Sequence, residues 1–321
     1  MGRWGRALVA AALAVTSMVG GPGNAAAAQA YPGYTLSHYV QNSISASAFY
    51  SSGCSQGRIS VGNGIVVLDF GQPWVSSGTY GARYWYYGGV AFLSTTAIAT
   101  YVQGFGQGFY DCSPATSYLR LAVGVNNDSG YVTSGHGSAW SAMVGAINAW
   151  LVARGYSGRV TAAGAIDAEP GFAARAPAVR AWMTGFGTSW LAYDFGSADG
   201  CSWTSYAPPP GLACNNGWRQ DDLYYLAWGA PAGWGLPEVY ATGTLTLPNG
   251  APSNWMANQW EMVRLYGARY GSLGAAVIAG QMAQTDSLSP QTSWTYLYNS
   301  VNAYSPVQGN VRWSTKIVWG L

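Results

Sequence analysis

The sequence predicts an α/β protein built on a (β/α)8-type barrel. Three observations carry that expectation. From Gly64 onward, short apolar runs alternate with longer segments of helical spacing. Repeated β-then-α units imply parallel strands joined by right-handed crossovers. A doubly wound open sheet would fit the same alternation, but the length of the chain and the absence of a Gly-rich phosphate loop after the first strand favour the barrel.

Taken in order, the chain opens with a segment to be set aside. Arg3 and Arg6 precede an apolar run over residues 7–19 and a small-residue stretch over 24–30. This is the three-part pattern of a secretory signal peptide, and its apolar core is too short to span a bilayer. Residues 1–30 are therefore expected to be removed on export, and residues 31–321 to form a single barrel domain. Residues 31 to about 60 read as an N-terminal strap over it. Strands are expected at 65–70, 119–125, 160–168, 190–195, 239–245, 275–282 and 311–318, with an eighth in 84–93 or 57–61. Between them, helices are expected at 95–109, with Ser94 as cap, and at 138–153, 172–184, 220–228, 255–266 and 291–302. Residues 200–218, with Pro208-Pro-Pro-Gly211, read as a long loop at the active face.

Composition narrows the function. The leader holds two of the 14 basic residues and none of the 12 acidic ones, so the remainder carries 12 of each. A balanced charge lacks the footprint that nucleic-acid binding needs. No later run is long enough to cross a membrane, so a free, exported monomer is expected. Cys54, Cys112, Cys201 and Cys214 make an even set suited to two disulfides in an exported chain. Three pairings are open; the one preferred staples Cys201 to Cys214 on one loop and leaves Cys54 for Cys112. There is no C-x-x-C, and His38 and His136 lie far apart, so neither a metal nor another cofactor is expected.

The chemistry gathers where strands are expected to end. Asp167 and Glu169 stand two apart at the end of a strand of small residues, so they project the same way, in line with Ala163 and Ala165. The first strand ends in Asp69, followed by Gln72 and Trp74. Asn126 and Asp128 follow the second, Tyr193 and Asp194 the fourth, and Tyr240 and Gln281 lie on later strands. Ala192, Asp194 and Gly196 are expected to share the inward face. Glycosidic cleavage uses one protonated carboxyl and a second group acting as nucleophile, base or stabiliser. Of the three glutamates, Glu238 falls at the start of an expected strand and Glu261 inside a helix, leaving Glu169 as the acid. Asp167, Asp69 and Asp194 would complete a carboxylate ring, with Gln72, Trp74, Asn126, Asp128, Tyr193, Tyr240 and Gln281 as substrate-binding groups. Set against this, an Asp-x-Glu before Pro170 also suits the capping of the next helix, and His136 suits a helix start better than catalysis. Loop aromatics, among them Trp85, Trp203, Trp218 and Trp234, could stack on sugar faces or simply pack loops onto the barrel.

The strand Gly-Ile-Val-Val-Leu-Asp69-Phe-Gly-Gln72 and the strand ending Asp167-Ala-Glu169 together resemble glycoside hydrolase family 25 lysozymes and related exported glycoside-hydrolase-like domains. The resemblance implies a barrel that cleaves peptidoglycan between its two amino sugars, with Asp69, Asp167 and Glu169 as the residues carried over. Family 18 chitinases also end a strand in Asp-x-Glu, but their further aspartates are here Ala163 and Ala165. A non-catalytic carbohydrate-binding barrel and a secreted interaction protein are the alternatives. No G-x-S-x-G occurs, which disfavours serine hydrolysis.

Overall fold

The computed structural model describes residues 29–42, 44–59, 62–128, 131–271, 288–304 and 309–321, and the backbone of 278–284. In chain order the first elements are β1 (Thr35–Tyr39), α1 (Ala46–Ile59), β2 (Asn63–Asp69), β3 (Gln72–Ser76), β4 (Thr79–Tyr86), β5 (Gly89–Ser94) and α2 (Thr95–Cys112). Then come β6 (Tyr118–Asn126), α3 (Ser134–Ala153), β7 (Val160–Asp167), α4 (Ala176–Phe186), β8 (Ala192–Asp194), and α5 (Gln220–Tyr224) with a π-helical turn (Tyr225–Gly229). The chain closes with β9 (Gly233–Gly235), β10 (Leu245–Thr246), β11 (Pro252–Ser253), α6 (Trp255–Tyr270), β12 (Ile278–Gln284), α7 (Pro290–Ala303) and β13 (Val311–Trp319). Ser94 caps α2 as expected, accepting from the Ala97 N–H at 3.2 Å.

Eight strands form one sheet in the order β12-β13-β1-β2-β6-β7-β8-β9, and every neighbouring pair is parallel. The sheet curls so that its two faces bury different sets of residues. Ile65, Val67, Ala122, Ala163, Ala165, Tyr193, Phe195, Leu236, Trp313 and Ile317 pack together on the inner face, and all come from strands or the residues that directly follow them. The outer face, with Val66, Leu68, Leu121, Val123 and Ile166, carries the helices. Helices on one face only argue against the doubly wound alternative, which needs both faces covered. The ring is nevertheless not a closed (β/α)8 barrel: β9 and β12 approach one another, but no ladder joins them.

Three expectations about elements need correction. The strap of residues 31–60 is instead β1, a central strand of the sheet, followed by α1. The strand expected at 239–245 is absent; its place is taken by the three-residue β9, which the sequence hid because Gly233 and Gly235 have low strand propensity. Residues 72–94 form neither loop nor eighth barrel strand but an antiparallel three-stranded flap, β3-β4-β5, between β2 and α2. Both preferred disulfides are present, Cys54–Cys112 and Cys201–Cys214. Among the described residues no helix is long and apolar enough to cross a membrane.

The first disulfide ties α1 to α2, which pack backbone to backbone. A Cβ added at Gly53 would fall 2.0 Å from the Phe105 carbonyl oxygen, and one at Gly108 would fall 2.0 Å from that of Tyr50. Backbone cannot yield as a side-chain tip does, so the helices would have to separate. Gly53→Ala or Gly108→Ala is expected to destabilise by about 1–3 kcal/mol, despite the helix propensity gained. Gly158→Ala, with no atom within 4 Å, is the control, and equal urea midpoints for all three variants would refute the packing account.

Candidate functional site

At the C-terminal ends of these strands lies a cleft of ≈ 390 Å³. Parallel pairing puts the ends in register: Tyr39 of β1 lies beside Asp69 of β2 and Trp319 of β13, and Asn126 of β6 lies beside Asp167 of β7. Asp69 continues the inner row Ile65-Val67, and Asp167 continues Ala163-Ala165. Small alanines below and acids at the rim leave space above the interior of the curled sheet.

Asp69, Asp167, Glu169 and Glu238 all line this cleft. The nearest carboxylate oxygens of Asp167, Glu169 and Glu238 lie within 4.8 Å of one another. Asp69, Asp167 and Glu238 are only 2–3 % exposed, whereas Glu169 is the half-buried member. Glu169 Oε2 accepts from the Ser197 N–H at 3.1 Å, and the Glu169 carbonyl accepts from Asn127 Nδ2 at 3.0 Å, so its turn is held from two sides.

Burial first, and then crowding, favours the protonated forms of these carboxyls. Burial raises Asp69 to about 7, opposed by the Gly71 N–H that donates to it. Asp167 is pushed well above the usual carboxylate range, first by burial and then by the charges of Glu169, Glu238, Asp69 and Asp194. Glu238 moves the same way, by burial and then by Glu169 and Asp69. Burial also raises Glu169, against the stabilising hydrogen bonds from Ser197. The Tyr39 and Tyr240 hydroxyls are raised by burial and by the same carboxylates. Asp167 Oδ1 and Glu238 Oε1 have no hydrogen-bond partner among the described residues. Three close carboxylates could also hold a hard divalent cation such as Ca²⁺ or Mg²⁺, where the sequence reading expected no metal.

Of the residues singled out in the sequence, Asp69, Gln72, Asn126, Asp128, Asp167, Glu169 and Tyr240 share the cleft. Asp194 does not. Ala192 packs against the outer layer and Tyr193 against the inner one, so Asp194 lies on the outward face of β8, opposite to expectation. There it accepts from the Gly196 N–H at 3.3 Å and from the Ala168 backbone, bracing the turn that presents the Ser197 amide to Glu169. Tyr193 is buried beneath the cleft, edge-on to Trp313. Trp74 stands one layer back, beneath the Arg83 guanidinium. The side chain of Gln281 lies outside the described residues.

The largest omission of the sequence reading is Glu238. With the strand placed at 239–245, Glu238 fell at its start; with the true strand at β9, it follows the C-terminal end, among the acids. Its backbone N–H donates to Gly196 O at 3.1 Å, extending the β8–β9 path into the cleft. Trp85, Val90, Phe172, Tyr39 and Trp319 supply the apolar walls. Trp218 is fully buried and donates to Ala174 O, Trp203 is exposed, and Trp234 is partly buried beside the inner cluster. His136 is buried in α3, accepting at Nδ1 from Trp182 Nε1 and bonded through Nε2 to Gly81 O; burial lowers it to about 4, as a neutral structural histidine.

Fold and site define an α/β protein with a curled parallel sheet and an acidic, aromatic-walled cleft at its C-terminal edge. Compared with protein-family models, curated proteins and solved structures, the chain matches none of them.

Proposed function

We propose that the protein is an exported glycosidase acting on peptidoglycan or another amino-sugar polysaccharide, as the resemblance to family 25 lysozymes implies. One observation supports this above the rest: in a chain with only 12 acidic residues, five converge on one aromatic-walled cleft at the C-terminal ends of parallel strands. Glu169 is the general acid. It is the most exposed of the four clustered carboxyls Asp69, Asp167, Glu169 and Glu238, and burial favours its protonated form over the opposing Ser197 hydrogen bonds. Asp167, Glu238 and Asp69 lie behind it and orient the substrate acetamide, whose carbonyl oxygen attacks the anomeric carbon as Glu169 protonates the departing glycosidic oxygen; water, deprotonated by Glu169, then opens that cyclic intermediate. The nearest carboxylate oxygens of Asp167, Glu169 and Glu238 lie within 4.8 Å of one another, which leaves less room for an inverting water than the roughly 6.5–9.5 Å between the carboxyl groups of inverting enzymes. Tyr39, Trp85, Tyr240 and Trp319 offer flat faces to sugar rings, and Gln72, Asn126 and Asp128 offer polar groups to hydroxyls and acetamides. The two disulfides and the leader pattern favour an oxidising, extracytoplasmic setting.

Incubation with purified cell walls and with N-acetylglucosamine oligomers is expected to release new reducing ends, with the anomer of the substrate kept in the first product seen by NMR. Tight binding to these glycans without any release of reducing ends would replace this reading with that of a non-catalytic binding protein.

A further inference from the structure

The flap β3-β4-β5 is two-faced. Ala82, Tyr84 and Leu93 turn into the core, while Gln72, Arg83, Trp85 and Val90 turn to the cleft. Pairing fixes this second row: Gln72 lies opposite Arg83, and Trp85 opposite Val90. Among the described residues lining the cleft, Arg83 is the one cation, and it faces a wall that contains Asp69, Asp128, Asp167, Glu169 and Glu238. Yet Arg83 takes part in none of the ion pairs of the described residues, which join Arg180 to Asp221 and Asp222, and Arg264 to Glu261. Its guanidinium instead lies on the Trp74 ring, 3.1 Å from the centroid, and that ring is braced edge-on by Tyr131 at 4.4 Å. Stacking fixes the plane of the fork and leaves its N–H edges for a ligand. A planar, pre-oriented guanidinium is the group best matched to a carboxylate, which it binds through two parallel hydrogen bonds.

We propose that Arg83 is a carboxylate-recognition site, and that the glycan taken by this cleft carries a carboxylate on the ring beside the flap. This rests on the glycosidase reading and narrows its substrate to acidic amino-sugar polymers. The neighbouring Gln72 amide adds a further donor for the same group, and Trp85 stacks the ring that bears it. The carboxylate can come from a uronic acid or from a carboxyalkyl ether on an amino sugar; both present the same planar anion.

Calorimetry in the Glu169→Gln background, to prevent turnover, tests this with three oligosaccharides of equal length. One is neutral N-acetylglucosamine hexamer, one alternates N-acetylglucosamine with glucuronic acid, and one carries a lactyl ether on alternate rings. At least one carboxylated chain is expected to bind about 10-fold or more tighter than the neutral one, and the better of the two identifies the source. Adding Arg83→Gln should bring that ratio close to one, and Arg83→Lys should leave an intermediate ratio, because the charge remains without the fork. Equal affinity for neutral and carboxylated chains, or an unchanged ratio in a folded Arg83→Gln variant, overturns the proposal while the glycan reading stands. Binding of none of the three overturns both.

Discussion

Glu169→Gln is expected to lower kcat on an amino-sugar glycan by about 10²–10⁴-fold, the range that a positioned general acid contributes, with KM changed much less. Glutamine keeps the shape of the side chain and an oxygen to accept the Ser197 N–H, so the cleft stays assembled and only the transferable proton is lost. Glu238→Gln should also lose activity, for a different reason. It removes a charge and a proton site within 4.8 Å of Asp167 and Glu169, which changes the protonation of the pair rather than the donor itself. The pH profile separates the two roles. In the wild type, activity should be highest on the acid side of neutrality and fall as pH rises, because Asp69 ionises near 7 and Glu169 also lies above its ordinary value. Glu238→Gln should shift that alkaline limb, whereas Glu169→Gln should depress the whole profile. Unchanged turnover in Glu169→Gln would end the assignment of this residue as the acid.

Why Glu169 could be found from sequence, and Glu238 could not, is a matter of register. The strand β7 is long and continuous, and its period of two places Ala163, Ala165 and Asp167 on one face without ambiguity. β8 and β9 have three residues each, too few for a period to show. A one-residue slip then turns a side chain to the other face, which is how Asp194 came to be expected in the cleft. At β9 the same weakness displaced the strand by several residues and hid Glu238. β1 was hidden for another reason: its Ser37 and His38 are polar but buried, Ser37 sharing a hydrogen bond with Thr315, so it lacks the apolar run that marked its neighbours. The flap, and Arg83 with it, depends on antiparallel pairing between segments whose aromatic content reads equally well as a loop.

The carboxylate cluster should also be a stability liability, and relieving it gives the second large effect. Glu238→Gln, or Asp167→Asn, is expected to raise Tm by roughly 2–8 °C at pH 8, and by little at pH 4. The sign follows from linkage. In the unfolded chain these groups ionise near their ordinary values; in the folded protein burial and like charge hold both well above them. Between the two values the folded state binds more protons than the unfolded state, so wild-type stability falls as pH rises through that window. An amide has no proton to lose and escapes the penalty, so the gap between variant and wild type should widen from about pH 4 upward. A Glu238→Gln protein less stable than wild type across this range would mean that the carboxylate has a stabilising partner, and a divalent cation is the partner its geometry would fit. Adding Ca²⁺ or Mg²⁺ decides between the two: a bound cation would raise the wild-type Tm at pH 8 and leave that of Glu238→Gln where it was, whereas a proton-holding cluster responds to pH and not to either ion. The acids that make the cleft reactive would then be the same groups that cost the fold stability at neutral pH, which is the trade expected when like charges are gathered in a buried site for chemistry rather than for packing.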